Sequence, residues 1–220
     1  MKPYFRYPAD EYDKGRIYEN IPFWIDEVTR IAGLKKGSIV LDLGCGTGNY
    51  AIELKKKTSA EVYGLDPSAG MIKVSRSKEL GKAINWYVSV AESLPFASEF
   101  FDCIFASQVW HHIQDKQKAA DECHRVLKRG SPLIVRTISH EQLMKRMVFK
   151  FFPEILSSQL EVYPTTKEFR ECFGKAGFSS VEIHPYQLKR HIPPEFFIEI
   201  AKKKICSMFK SLLDTGKKKG

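Results

Sequence analysis

Nowhere does the chain hold an apolar run long enough to cross a membrane. The first thirty residues, Asp10, Glu11 and Asp13 among them, also lack the apolar stretch of a signal peptide. Both absences lead to the expectation of a soluble, cytoplasmic protein with no transmembrane segment. Cysteine is scarce and scattered: Cys45, Cys103, Cys123, Cys172 and Cys206 are five in 220 residues. None falls in a CxxC or Cys/His metal spacing, so buried free thiols are expected rather than a disulfide framework or a metal site. No internal repeat is present, which excludes solenoid and propeller architectures.

Acidic residues are outnumbered, giving a net charge of +9. From His140 onward 15 Lys and Arg face 9 Asp and Glu, a surplus of +6, so the excess sits mostly at the carboxyl end. A basic surplus can serve nucleic acid, an anionic membrane or an acidic substrate. Here Lys202, Lys203 and Lys204 fall within a helical pattern as a solvated face, and Lys217, Lys218 and Lys219 form a terminal tail. No specific nucleic-acid partner is therefore expected.

With 43% hydrophobic residues the chain can bury one sizeable core. Apolar side chains recur from Ile17 through Ile21, Trp24, Ile25, Val28, Ile31 and Ala32, a helical stripe that Gly33 would end. Strands are expected at Ile39 to Leu43, Glu61 to Leu65, Asn85 to Val88, Asp102 to Ala106 and Leu133 to Ile138, with helical segments between them. Alternation of this kind implies a parallel sheet covered on both faces. Residues 140–164 break the rhythm, with Leu143, Met144, Phe149 and Phe151 interleaved with Lys145, Arg146 and Lys150, and read as a lid or insertion. Such a run has three uses: lining an acceptor site, lying on a membrane, or forming one buried helix face with a solvated basic face, which leads. Thr165 and Glu168 have capping-box spacing, opening a helix that Gly177 closes. A sixth strand, Val181 to Leu188, and a long amphipathic helix from Pro193-Pro194 follow, and no strand-like segment comes after Leu213.

Val40 to Tyr50 reads as a buried strand running into a glycine-rich turn and then a helix. Dinucleotide sites use G-x-G-x-x-G. This chain has G-x-G-x-G, with Asn49 where the third dinucleotide glycine would stand, and it keeps an acid, Asp66, 18 residues past Gly48. An acceptor-only carboxylate at that strand end can receive both hydroxyls of a ribose. A nucleoside ligand is supported and a pyrophosphate is not.

Asp42-Leu43-Gly44-Cys45-Gly46-Thr47-Gly48 with Gly64-Leu65-Asp66-Pro67-Ser68 resembles the first two motifs of class I S-adenosylmethionine-dependent methyltransferases. Ala91-Glu92-Ser93-Leu94-Pro95-Phe96, the stretch Phe101 to His112 and Arg125 to Gly130 resemble the later motifs, in family order. The lead segment Tyr12 to Tyr18 is similar to the lid of the small-molecule branch (methyltransferase type 11-like). The resemblance runs over roughly residues 12–138 and implies a Rossmann-like doubly wound sheet, mostly parallel, whose usual final antiparallel strand is either absent here or cut off by truncation. An exposed sheet position would then invite dimerisation, and a monomer or weak dimer is expected. Within a single domain over 1–220, it divides the chain into an amino-terminal lid and helix (1–33), a cofactor-binding core (34–139), the insertion (140–164) and a carboxyl-terminal part (165–220).

The same resemblance implies roles. Gly44 and Gly46, with Cys45 between them, would let the methionyl moiety of S-adenosylmethionine lie on the backbone, its carboxylate met by N–H groups of the turn. Asp66 would bind the ribose, Pro67 and Met71 would pack on the adenine, and Ala91 would offer its N–H to the ring, with Glu92 helping from the same loop. The family often has Asp directly before that alanine, and here it is Val90. Ser107 completes the pocket, and Tyr12 and Arg16 match the lid pattern. Tyr4, Trp110, His112 and Phe149 are candidates for the acceptor side. His111 stands at the family's more regular histidine position and is the candidate base, a task histidine suits near neutral pH; holding the amino-terminal lid by a hydrogen bond is its bland alternative. Asp66 could equally cap the next helix, Met71 could be core, and Cys45 could simply fill space. The implied reaction is methyl transfer to an O, N or S nucleophile of a small molecule, leaving S-adenosylhomocysteine. The alternatives are a macromolecular acceptor such as RNA, for which no Asn-Pro-Pro-Tyr-type motif is present, and a binding module without turnover.

Overall fold

The computed structural model describes residues 9, 11–13, 20–146, 148–151 and 153–187. Tyr4, Arg16, Cys206, the helix expected after Pro193 and the lysine-rich tail lie outside them. The described residues form two compact units: one runs to Thr137 and takes in Glu171–Ser179, the other holds Ile138–Arg170 and the described residues from Ser180.

In the first unit, α1 (Ile21–Ala32) buries Ile21, Ile25 and Val28, the i, i+4, i+7 stripe of an amphipathic helix. It begins at Ile21, and Ile17 lies outside the described residues. Pro22 sits in its first turn, where a missing N–H is harmless. Gly33, at φ 59°, ends it, with Leu34 N–H donating to the Thr29 carbonyl at 3.0 Å. Then come β1 (Ile39–Leu43), α2 (Asn49–Thr58), β2 (Glu61–Asp66), α3 (Ala69–Ser77), β3 (Asn85–Val88), β4 (Cys103–Ser107), α4 (Lys116–Val126) and β5 (Leu133–Arg136). The strands pair in parallel in the order β3-β2-β1-β4-β5. After β3 the chain therefore returns to the other side of β1, so the order reverses between β1 and β4, and a crevice opens outside their carboxyl ends.

Val40, Leu41, Asp42 and Leu43 are all buried. Successive strand side chains point to opposite faces, so burial of all four means that both faces of the sheet are covered. Leu54, Leu65, Ile72, Ile104 and Phe105 complete a core closed to solvent. Asp102 secures the entry to β1: one carboxylate oxygen accepts from Ile39 N–H and the other from Lys128, both at 2.8 Å.

In the second unit, α5 (His140–Met144) starts in a capping box. Ser139 Oγ accepts from Gln142 N–H at 3.3 Å, and Gln142 Oε1 accepts from Ser139 N–H at 3.1 Å. Short α6 (Val148–Phe151) and α7 (Pro153–Val162) follow, and His140 Nε2 lies 2.6 Å from the Tyr163 carbonyl. Leu143 and Phe149 are buried and Lys145, Arg146 and Lys150 exposed, but Met144 is exposed as well, and the run is divided between two short helices. The Thr165–Glu168 capping box also forms, opening α8 (Thr166–Lys175).

One expected element does not form. Residues 181–187 belong to no strand, and none of their side chains is buried. Pro185 removes a donor that a ladder needs, and Ile183, which a half-buried strand would cover, is exposed. No helix among the described residues is long and apolar enough to cross a membrane.

Leu54, wholly enclosed between α2 and the sheet, sets a measure of this core. Leu54→Ala is expected to lower unfolding stability by about 2–5 kcal/mol in urea titration, while Lys36→Ala at an exposed position changes it by less than about 0.5 kcal/mol.

Candidate active site

The glycine-rich turn is knitted to the neighbouring strand by one carbonyl. Leu65 C=O accepts from both Gly44 N–H (2.7 Å) and Cys45 N–H (3.0 Å), and Cys45 C=O accepts from Gly48 N–H (2.9 Å). Gly44 and Gly46 stand at φ 71° and 54°, the left-handed region that only glycine adopts freely. A Cβ on Gly44 would also drive into the side chain of Val109. The N–H groups of Gly44, Cys45 and Gly46 are all engaged within the protein, so these residues offer a ligand close approach rather than three donors.

Asp66 ends β2 with its carboxylate buried. Oδ2 accepts from Gly46 N–H and Oδ1 from Ser68 N–H, each at 2.9 Å. A carboxylate has about four acceptor sites, so two remain. Burial raises the acid's pKa, and the two backbone donors oppose the rise. Helix α3 is capped by Ser68, whose hydroxyl accepts from Met71 N–H at 3.3 Å, and not by Asp66.

A cleft opens at the carboxyl ends of β1 and β4, with about 690 Å³ of open space that includes its mouth. It is lined by Leu43, Gly44 and Gly46 after β1, by Leu65, Asp66, Pro67 and Met71 around the end of β2, and by Val90, Ala91 and Glu92 after β3. Ser107, Gln108, Val109, His112 and Ile113 at and after the end of β4 also line it, with Tyr12 from the amino-terminal segment.

Residues 41–135 match the family described as a methyltransferase domain. The ubiquinone/menaquinone biosynthesis C-methyltransferase of Haemophilus ducreyi is 30% identical over 178 residues, covering 70% of this chain and 69% of that protein. The corresponding protein of Pectobacterium atrosepticum is 30% identical over 183 residues, covering 72% and 73%. The chain belongs to the class I S-adenosylmethionine-dependent methyltransferases, small-molecule branch. A demethylmenaquinone methyltransferase of Geobacillus kaustophilus is 29% identical over 187 residues, covering 74% of this chain and 80% of its own. Among solved structures, a protein from an antibiotic biosynthesis pathway of Anabaena variabilis superposes with TM-score 0.70 at 19% identity, covering 90% and 86% of the two chains. The YcgJ protein of Bacillus subtilis gives 0.63 at 22%, covering 84% and 83%. At such identities these two show the fold.

The residues present fit the methyl donor that this family uses. Asp66 keeps two acceptor sites beside the apolar Pro67, Met71, Val90 and Ala91, which suits a ribose next to a flat ring. The methyltransferase also uses the later motifs structurally. Glu92 Oε1 accepts from Gln114 (3.1 Å) and Asp115 (3.3 Å) N–H, pinning its loop to the start of α4. Arg125 donates to the carbonyls of Leu94 (3.0 Å) and Phe96 (2.8 Å), joining two of the family-like stretches. Ser107 Oγ accepts from Arg136 at 2.9 Å, and Arg136 also donates to Tyr50 Oη at 2.8 Å and lies 4.6 Å from the Trp24 ring centroid.

Other sequence candidates sit elsewhere. Cys45 is buried off the cleft wall, its thiol pushed up by burial and by the carboxylates of Asp42 and Asp66. Cys103 and Cys123 are buried free thiols too, and Cys172 is half-buried. Trp110 is fully buried, edge-on to Phe173 with centroids 5.0 Å apart. His112 lines the cleft; His111 does not, its ring centroid lying 4.0 Å from that of His112. Phe149 is buried within the second unit.

Sequence reasoning missed Gln108, a cleft residue at φ 55°, and the partners of Asp13. It also passed over the state of Asp42. This side chain is buried beside Gly44, accepts one bond from the backbone of Ala51, and has Oδ2 without a partner among the described residues. Burial, with a contribution from the Asp66 charge and against the Ala51 donor, pushes its pKa up to about 7. The folded methyltransferase thus binds a proton there that the unfolded chain gives up near pH 4, and the protein loses stability as pH rises from about 4 to about 7. Asp42→Asn, which keeps the acceptor for Ala51, is expected to flatten that slope. At pH 8 its midpoint of thermal unfolding should exceed that of the parent by an amount equivalent to as much as about 4 kcal/mol, with little difference near pH 4.

Proposed function

We propose that the enzyme transfers a methyl group from S-adenosylmethionine to a ring carbon of a hydroxylated aromatic small molecule of quinol type. Carbon here takes the place of the O, N or S nucleophile expected from the sequence. The observation that carries this reading is the similarity, over two thirds or more of both chains, to proteins named as C-methyltransferases and demethylmenaquinone methyltransferases.

Asp66 receives the ribose hydroxyls on its two remaining acceptor sites. Pro67 and Met71 pack on the adenine, Val90 and the Ala91 backbone face its edge, and Tyr12 covers the donor. When bound, S-adenosylmethionine supplies an electrophilic methyl whose sulfide leaving group needs no proton. The protein's task is therefore alignment and proton management. Removing the hydroxyl proton of the acceptor pushes electron density onto the ring carbon. After the carbon–carbon bond forms, the hydrogen on that carbon leaves as a proton and the ring regains aromaticity. His112, on the cleft wall in the 3-10 turn that follows β4, is the group placed to take a proton. His111 supports it from its side.

The deciding experiment offers isotopically labelled S-adenosylmethionine with a reduced demethylated naphthoquinol and a panel of phenol, amine and thiol acceptors, and locates the label by NMR. Label on ring carbon supports the reading; label only on O, N or S overturns it. Asp66→Ala is expected to weaken S-adenosylhomocysteine binding by about 10- to 100-fold in calorimetry. His112→Phe should lower turnover by about 100-fold or more while leaving that affinity within a factor of about three, and His111→Phe should do less.

A further inference from the structure

We propose that Asp13 is a positioning residue: it fastens the amino-terminal segment to the glycine-rich turn and so holds Tyr12 over the methyl-donor cleft. The assignment rests on that cleft holding S-adenosylmethionine.

Both oxygens of the Asp13 carboxylate are used. Oδ1 accepts from Thr47 Oγ1 at 2.6 Å and from Asn49 Nδ2 at 3.1 Å, and Oδ2 accepts from Lys78 Nζ at 2.9 Å. Lys78 Nζ also donates to Asn49 Oδ1 at 2.6 Å, which closes the ring of contacts. Three distant stretches thereby meet: the segment before α1, the turn between β1 and α2, and the residue that ends α3. Two of the anchors come from the glycine-rich stretch itself, and Thr47 is buried, so the attachment is to a fixed part of the site. The adjacent Tyr12 ring stands 3.8 Å from where a Cβ on Gly46 would lie. A carboxylate with three hydrogen-bond donors is a stronger tie than a surface ion pair, yet Asp13 and Lys78 keep 31% and 25% of their side-chain exposure, so salt weakens it.

The test compares the parent protein with Asp13→Asn, Lys78→Met and the double variant. It reads S-adenosylhomocysteine affinity by calorimetry, its dissociation rate by stopped flow, amide exchange around Tyr12 without ligand, and the unfolding midpoint. Asp13→Asn should weaken binding about tenfold, mostly through faster dissociation, and speed exchange around Tyr12, with the unfolding midpoint nearly unchanged. The double variant should be no weaker than Asp13→Asn, since both changes break the same tie. Unchanged exchange with affinity within twofold overturns the proposal, as does a loss of affinity that tracks a loss of overall stability. If the parent protein fails to bind, the reading of the cleft falls, while the exchange comparison still decides whether Asp13 holds the segment.

Discussion

Two N–H groups on the Asp66 carboxylate hold the site together. Gly46 belongs to the turn after β1 and Ser68 to the turn after β2, so one buried side chain fixes two of the loops that border the cleft. The charge is kept in place at a desolvation cost, which the two donors offset only in part, because the pKa remains raised. Asp42 lies close by, itself buried and short of a partner among the described residues. Of the two, only Asp66 lines the cleft; Asp42 lies buried outside its lining. The two acceptor sites left on Asp66 suit a ligand that brings hydroxyl donors.

The strands that carry the site were legible because each is a run of apolar residues closed by a chemically distinct residue. β1 and β3 occupy the expected residues, β2 gains only its terminal Asp66, and β4 shifts by one. β1, β2 and β4 are buried on both faces, so no alternation is needed to find them. β5 is shorter than expected and its four side chains are only half-buried, which blunts the apolar signal at its end. Val181 to Leu188 misled for the opposite reason. Its composition is strand-like, but a strand exists only by pairing, and Pro185 weakens the one property that local sequence could report.

The same contrast divides the site. Gly44, Gly46, Asp66, Ala91 and Ser107 all stand at or just beyond strand ends, so motif spacing found them and the fold brings them to one cleft. The ties of Asp13 and Arg136 join residues 34 and 86 positions apart, and only the folded sheet makes them neighbours. The histidine pair shows a finer limit. Trp110–His112 is a single 3-10 turn, in which adjacent side chains point about 120° apart. A motif that fixes the region therefore leaves open which of the two histidines faces the cleft, and the structure turns His112 to it.

Gln108 gives this part of the cleft its shape. A side chain at φ 55° costs on the order of 1 kcal/mol, and glycine would avoid it. Its N–H donates to the Arg136 carbonyl at 2.8 Å, extending the β4–β5 pairing one residue past the strand. The left-handed step then turns the chain so that Val109 comes down on Gly44, where no Cβ fits. Strain at Gln108 and the absence of a side chain at Gly44 are thus two halves of one packing contact. It brings the end of β4, with Ser107 before the bend and His112 after it, against the turn that follows β1. In a fold whose ligands bind where the strand order reverses, that contact sets how closely the segment after β4 approaches the turn after β1.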